Sequence, residues 1–342
     1  MNCKIIKFDP YQASEELWDL YFDFGDEIGN ETEPERSRPP RTKRKKLVTS
    51  SYENPEKNSY RYLLLLEESK TKVIGQCNFT VVSNIAPAYE TNKKLAQTHI
   101  SILSGYRRHG FGSKLLELLI SEIGIEEPTV TELIFNATLD CGKSFLTNKM
   151  ATVSQVGKQN RLYLNEVDWK MVQSWVEVGS SNSPTTQIHT VSIIPEAIIE
   201  KFCTLYSETS SRVPLGDISN DLRISPATVR HNEKTQMANE VEQTTMYTQE
   251  SDGKLSGVTE IFYQKDSPDE VHQNLTGVGQ EFLGHGLGKW LKANMLLFIK
   301  EKYPQVKFIV TGNADSNAPM NAINQKLGFK NHKSMTLYKL KI

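Results

Sequence analysis

The sequence predicts two successive α/β units, each a mixed sheet layered with helices. Three observations carry that prediction. A glycine-rich turn occurs twice, as Arg107-Arg108-His109-Gly110-Phe111-Gly112 and as Leu283-Gly284-His285-Gly286-Leu287-Gly288. Its two copies stand close to half a chain length apart, the mark of an internal repeat. Each copy follows a strand-like run and opens an amphipathic helix, and the elements around it recur in one order in both halves. With 342 residues the chain can form two domains, each burying its own core.

In the first half, Lys4 to Phe8 alternates like a strand, and Leu17, Trp18, Leu20, Tyr21 and Phe24 recur at helical spacing. The segment Pro34 to Lys46 has seven Lys/Arg among thirteen residues and paired prolines, which reads as a loop. Tyr60 to Glu67 and Lys72 to Val82 read as a hairpin turned by Glu68 to Thr71. Leu95 to Ile102 leads into the first glycine turn, and Ser113 to Ile123 is the helix behind it. A strand at Glu132 to Ala137, a short helix at Lys143 to Lys149, a closing strand at Asn160 to Val167 and a helix at Trp169 to Val176 complete the half.

Gly179 to Thr186 is polar, small-residue and proline-containing, as linkers are. The domains are therefore expected at 1–178 and 188–342, joined by 179–187. The order then repeats: a strand at Ile188 to Ile193, helices at Pro195 to Tyr206 and Pro226 to Val241, and a hairpin around Asp252-Gly253. His272 to Val278 leads into the second glycine turn; Gly288 to Tyr303, Lys307 to Thr311, Pro319 to Leu327 and Ser334 to Ile342 follow as helix, strand, helix and strand. In each half the turn lies at a strand's carboxyl end, where open α/β sheets place their ligands.

Composition excludes several classes. Forty basic and 41 acidic residues leave net charge −1, which gives nucleic-acid binding no support. Cys3, Cys77, Cys141 and Cys203 are too widely spaced for a zinc site or a disulfide framework. No apolar run reaches membrane-spanning length and Met1-Asn2-Cys3-Lys4 opens no signal peptide, so a soluble, cytoplasmic chain is expected, with no metal, membrane or nucleic-acid partner.

A glycine turn ahead of a helix gathers several main-chain N–H groups into one hollow, and the helix dipole adds about half a positive charge. Such a hollow seats a pyrophosphate. Gly284, Gly286 and Gly288 supply it in the second half; Gly110 and Gly112, flanked by Arg107 and Arg108, supply it in the first. The plain alternative is a tight strand-to-helix connection. Neither copy continues as the Gly-Lys-Ser/Thr of a P-loop. Each also comes after several strands, not after the first strand as a Rossmann turn does.

Arg107 to Gly112 resembles the Arg/Gln-x-x-Gly-x-Gly/Ala hallmark of the GNAT family of N-acetyltransferases in full. Leu283 to Gly288 resembles it except at its first position, where leucine replaces Arg/Gln. Asn313 to Phe329, with its asparagines, helix and Leu327-Gly328-Phe329, is similar to a further family segment. The first half keeps Phe145-Leu146 but no Leu-Gly-Phe. The whole chain looks like the tandem GNAT subgroup, of which mycothiol synthase is one member. That resemblance implies two domains, each a mixed, mostly antiparallel sheet whose central parallel strands splay, flanked by helices. It implies acetyl-CoA as co-substrate, the pyrophosphate seated on Gly284, His285, Gly286, Leu287 and Gly288. Main-chain groups near Val278 would pair with the pantetheine arm, with Asn313 and Asn317 along it; Ile102, Arg107, Arg108, Gly110 and Gly112 hold the matching positions.

The implied reaction is acetyl transfer to the primary amine of a small molecule. It needs a base for the amine's proton and a donor where charge develops on the thioester oxygen. The family's usual tyrosine, five residues before the phenylalanine of Leu-Gly-Phe, is Asn324 here and Leu146 in the first half. Glu260, in Gly257-Val258-Thr259-Glu260, is the base candidate; its bland reading is a solvated glutamate. Glu281 and His272 are weaker candidates, read as loop or surface residues. The second half is expected to be the working site. A silent CoA-binding module and a protein N-acetyltransferase remain as other readings. The basic segment 34–46 reads as a solvated loop, or as a contact for an acidic substrate or a CoA phosphate.

Overall fold

The structure, a computed structural model, describes the chain except for residues 35, 37, 69, 70, 215 and 217–222. It divides into two units: Met1–Val153 with Leu337–Ile342, and Ser154–Thr336.

The first unit runs β1 (Cys3–Lys7), α1 (Glu15–Thr32), α2 (Arg41–Tyr52), β2 (Lys57–Leu66), β3 (Lys72–Val82), α3 (Tyr89–Asn92), β4 (Leu95–Ile102), α4 (Phe111–Glu126), β5 (Glu132–Ala137) and α5 (Asp140–Asn148). Its strands lie in the order β1-β2-β3-β4-β5, antiparallel except for the parallel pair β4/β5. The unbroken run Leu63 to Leu66 in β2 shows why helices cover both faces. Leu64 and Leu66 enter one core with Leu115, Leu119 and Ile123 of α4, while Leu63 and Leu65 enter another with Trp18 and Phe22 of α1. A strand with only one buried face would alternate with polar residues. Each fully buried leucine contributes roughly 2 kcal/mol.

Part of the basic segment is not a loop: α2 begins at Arg41, one residue after Pro40, whose fixed backbone suits a helix start. Facing α1 stabilises it. Arg41 reaches Asp19 and Asp23, Arg44 reaches Asp26, and Lys45 reaches Glu15, while Arg44 and Lys45 also lie over the rings of Phe22 and Trp18. Those three cations are committed to internal pairs, so they do not form a free patch for an acidic ligand. Glu35 and Ser37 of this segment lie outside the described residues, as do Ser69 and Lys70 of the expected hairpin turn.

The second unit holds most of β6 (Thr152–Tyr163), then α6 (Trp169–Asn182), β7 (Gln187–Val191), α7 (Ile199–Ser211), α8 (Pro226–Ala238), β8 (Val241–Gln249), β9 (Leu255–Gln264), β10 (Glu270–Val278), α9 (Leu287–Lys302), β11 (Phe308–Ala314), α10 (Ala318–Leu327) and the start of β12 (Lys330–Lys341). The order β7-β8-β9-β10-β11-β6 repeats the first unit's scheme, with β10/β11 the parallel pair. One face packs on α9 and α6 through Leu291, Met295, Ile299 and Val172; the other packs on α7 and α8 through Phe202, Leu205 and Val229.

Two expected boundaries fall elsewhere. The strand expected to close the first half is β6, which pairs antiparallel with β11, Tyr163 opposite Phe308. The end of β12 belongs instead to the first unit, where Ile342 donates to the Thr131 carbonyl at 3.0 Å. Alternation along a strand reports its buried face, not its neighbour. Gly179 to Asn182, read as linker, is the last turn of α6. Gly179 is there for packing: a Cβ would meet the Trp290 ring of α9 at 2.3 Å.

Candidate active site

Both glycine turns are built alike. Gly110 (φ 81°) and Gly286 (φ 82°) take left-handed backbone at the N-caps of α4 and α9, a conformation that glycine adopts without strain. In α9 the first turn closes with Lys289 and Trp290 donating to the Gly286 carbonyl, both at 3.1 Å. The N–H groups ahead of them therefore point out of the helix end. Nothing lies within 4 Å of a Cβ built on Gly110, Gly284 or Gly286, so the space in front of each turn is open. This is the arrangement a diphosphate would fit. His285 is exposed, whereas the Leu287 side chain is buried in the core.

Next to each turn the parallel strands part. In the second unit β10 and β11 pair only from Glu270/Phe308 to His272/Val310; β10 then continues to Val278 and β11 to Ala314. Thr311 donates to the Gln273 carbonyl at 3.2 Å, where the pair ends. A bulge between Gln273 and Thr276 inserts one extra residue into β10. Bulges bend a strand and break the ladder locally. In the first unit β4 and β5 pair from Leu95/Glu132 to Thr98/Phe135, and the β3/β4 ladder is regular.

On the β9 side of this opening lies Glu260, buried with only 4% of its surface exposed. Its Oε2 accepts from Asn274 Nδ2 at 2.7 Å and from the Tyr206 hydroxyl at 3.3 Å, and its Oε1 accepts from Gln243 Nε2 at 2.7 Å. Burial raises its pKa above the ordinary carboxylate range; these donors and Thr245 pull the other way. Burial and the adjoining carboxylate push the Tyr206 phenol well above its usual value. Asn274 is exposed, so solvent reaches the edge of the cluster. The solvated reading of Glu260 is thus overturned, because the strand is covered by helices on both faces. Glu281 is exposed and pairs with Lys254 at 2.9 Å, and His272 meets Glu270 at 3.0 Å.

On the β11 side, Asn313 Oδ1 accepts from Asn324 Nδ2 at 2.6 Å, and Asn324 Oδ1 accepts from Lys292 Nζ at 2.7 Å. Asn317 caps α10 by accepting from the Met320 N–H at 3.4 Å.

The turns differ in how an arginine serves them. In the first, Arg107 folds back, donates from Nε to the Ile102 carbonyl at 3.0 Å, and grips Glu31 with both terminal nitrogens at 2.5 and 2.6 Å. The second turn has Leu283 there, half exposed. Arg212, at the end of α7, does the corresponding work. It donates to the Val278 carbonyl and, at 3.2 Å, to Gln280 Oε1, and it lies 3.5 Å from Glu208. Ile102 and Val278 are equivalent, since each pairs with a glycine of the preceding strand, Gly75 or Gly257. Sequence reasoning passed over Arg212, Tyr206 and Lys292. Only Lys292 had a local signal, a charge at an apolar position of an amphipathic helix.

No family model matches the sequence, and no curated protein matches it. Solved structures do. A tandem GNAT protein from the clavulanic acid biosynthesis pathway is 18% identical, with TM-score 0.75 over 99% of this chain and 98% of its own. A GCN5-related N-acetyltransferase from Sphaerobacter thermophilus is 10% identical, with TM-score 0.63 over 99% and 95%. N-myristoyltransferase from Saccharomyces cerevisiae, with bound myristoyl-CoA, is 11% identical, with TM-score 0.58 over 99% and 78%. Among the described residues, no helix is long and apolar enough to cross a membrane. With the repeated sheet order, the paired glycine turns and these likenesses together, the chain has the GNAT fold, in tandem, over its whole length.

Proposed function

We propose that this protein is an acetyl-CoA-dependent N-acetyltransferase whose second unit transfers the acetyl group to the primary amine of a small molecule. The observation that carries this reading is one opening with two furnished walls: an open amide-lined turn at its end and a buried, hydrogen-bonded carboxylate beside it. Acetyl-CoA would supply the activated acyl group as a thioester. Main-chain N–H groups of Gly284 to Gly288 would hold its diphosphate, and the free edge of β10 near Val278 its pantetheine arm. Glu260, its pKa raised by burial, would take the proton that the acceptor amine sheds. Asn274, at the exposed edge, would guide that amine toward the carboxylate.

Support for the second unit over the first comes from the same positions. Glu260 lies three residues beyond Gly257; three beyond Gly75 stands Asn78, which is no base. The tandem order and the Gly-x-Thr-Glu segment at 257–260 support kinship with the subgroup that includes mycothiol synthase. Calorimetric titration with acetyl-CoA and thiol release across an amine panel test the proposal. Saturable binding with amine-dependent release is expected. Binding without release to any amine would leave a CoA-binding module, and release only with peptide amines would make the acceptor a protein.

A further inference from the structure

Lys292 is a buried cation that pairs with no carboxylate among the described residues. It lies in α9, is 2% exposed, makes one hydrogen bond, to Asn324 Oδ1 at 2.7 Å, and lies 5.1 Å from the centroid of the Phe329 ring. The carboxylates on the strands and the helix packed against α9 bond elsewhere. Glu177 of α6 accepts from Gln173, Glu242 of β8 from Tyr303, Glu260 of β9 from its own donors, and Glu270 of β10 meets His272. Lys170 of α6 and Lys326 of α10 are exposed. Burial alone lowers the Lys292 pKa, to about 7.

The first unit shows that the fold does not need this lysine. Four residues beyond the last turn glycine, α9 has Lys292 and α4 has Leu116. Asn324 answers to Leu146, and Asn313 to Ala137, each five residues beyond the first β11 or β5 residue of its parallel pair. Leu116, Leu146 and Ala137 are all buried members of one apolar core. The second unit thus replaces an apolar trio by a hydrogen-bonded chain, Lys292 to Asn324 to Asn313. That chain runs from inside the helix layer to the β11 wall of the opening. An isolated buried charge is costly to keep, so a task is expected of it.

We propose that Lys292 is a positioning residue that lends positive charge, through Asn324 and Asn313, to the departing thiolate of the acyl donor. This rests on the reading given above. As the amine nitrogen bonds to the carbonyl carbon and the carbon–sulfur bond breaks, the bonding electron pair leaves on sulfur. The Lys292 ammonium offsets that charge without giving up its proton, the nitrogen's surplus proton goes to Glu260, and water later protonates the sulfur.

The test needs no acceptor. Coenzyme A is bound to the full chain at about pH 6, below the Lys292 pKa, and the rate at which iodoacetamide alkylates its thiol is followed by chromatography as a measure of the thiolate present. The thiol bound to Lys292→Met is expected to react about tenfold or more slowly than in the wild type, which corresponds to about one pH unit in its ionisation. Equal rates in both complexes overturn the proposal while leaving the functional reading intact. Failure of the wild-type chain to bind coenzyme A overturns that reading and the proposal with it. Thermal melting of each variant checks folding; Lys292→Leu, which installs the first unit's own residue, is the second variant should methionine pack badly. A lysine kept only for packing would not move the thiol.

Discussion

The two units share one scaffold and spend it differently. Both carry a left-handed glycine at a helix N-cap, a parallel strand pair that parts beside it, and an arginine holding the carbonyl where the strand ends. In the first unit the inner surfaces near that place are apolar or internally paired. Leu116 and Leu146 are core, Phe145 lies 3.3 Å from where a Gly112 Cβ would be, and Arg107 is neutralised by Glu31. In the second, Lys292 and Asn324 take the places of Leu116 and Leu146, and Glu260 that of Asn78, each buried and hydrogen bonded. Buried polar groups persist only with partners, and each depends on the rest of its network. The lesson is that a duplicated fold keeps its backbone devices in both copies, while the polar interior marks the copy with chemical work.

Several experiments would break or sharpen this contrast. The largest effect is expected from Glu260→Gln, which should lower turnover by about 10²-fold or more in the thiol-release assay. Asn78→Ala, at the matching place, should leave it unchanged. Wild-type turnover should also fall on the acid side at a pH above the ordinary carboxylate range, because burial raises the Glu260 pKa and protonation removes the base. Normal rates for Glu260→Gln across pH would remove it from the mechanism.

Gly286→Val and Gly110→Val ask which turn seats the diphosphate. Calorimetry should find acetyl-CoA binding abolished only by Gly286→Val; loss confined to Gly110→Val would move the site to the first unit.

Arg212→Ala tests the borrowed arginine. Acetyl-CoA affinity should fall by about tenfold, roughly the value of one charge-assisted hydrogen bond. Adding Leu283→Arg, which restores the residue the first turn has, should recover it. No recovery would mean that Arg212 serves α7 rather than the strand end.

Lys292→Met should also alter stability with pH. The Lys292 pKa is about 7 in the fold and ordinary when unfolded, so the unfolded chain binds more protons between those values. The destabilisation is therefore full below about 7 and fades as pH rises toward the ordinary lysine value. The variant should melt above the wild type at neutral pH, by on the order of a few kcal/mol, and the two should converge in alkali.

The smallest effect is expected at Arg108, whose φ of 66° matches the φ of 85° at Gly284. Arg108→Gly should stabilise the chain by no more than about 1 kcal/mol, read by denaturant unfolding, since relief of strain is offset by glycine's entropy.

The sequence by itself determined the duplication, the placing of both turns ahead of helices, and most strands and helices. These follow from glycine's backbone freedom and from periodicity, which act within a few residues. It also singled out Glu260 and noted the unusual Asn324. What only the tertiary structure decided are relations between distant residues. Arg212 takes the place of an arginine absent at 283, 71 positions away by their numbers. Arg41 to Lys45 turn helical because α1 presents carboxylates to them, Gly179 packs under Trp290 where a linker was expected, and β6 pairs with β11. Lys292 shows in the sequence only as a charge at an apolar position of its helix; that it meets Asn324 and Phe329 there is set by the fold. Local patterns report which way a residue points; only the assembled fold sets what it meets there, and burial and partners are what turn a side chain into a functional group.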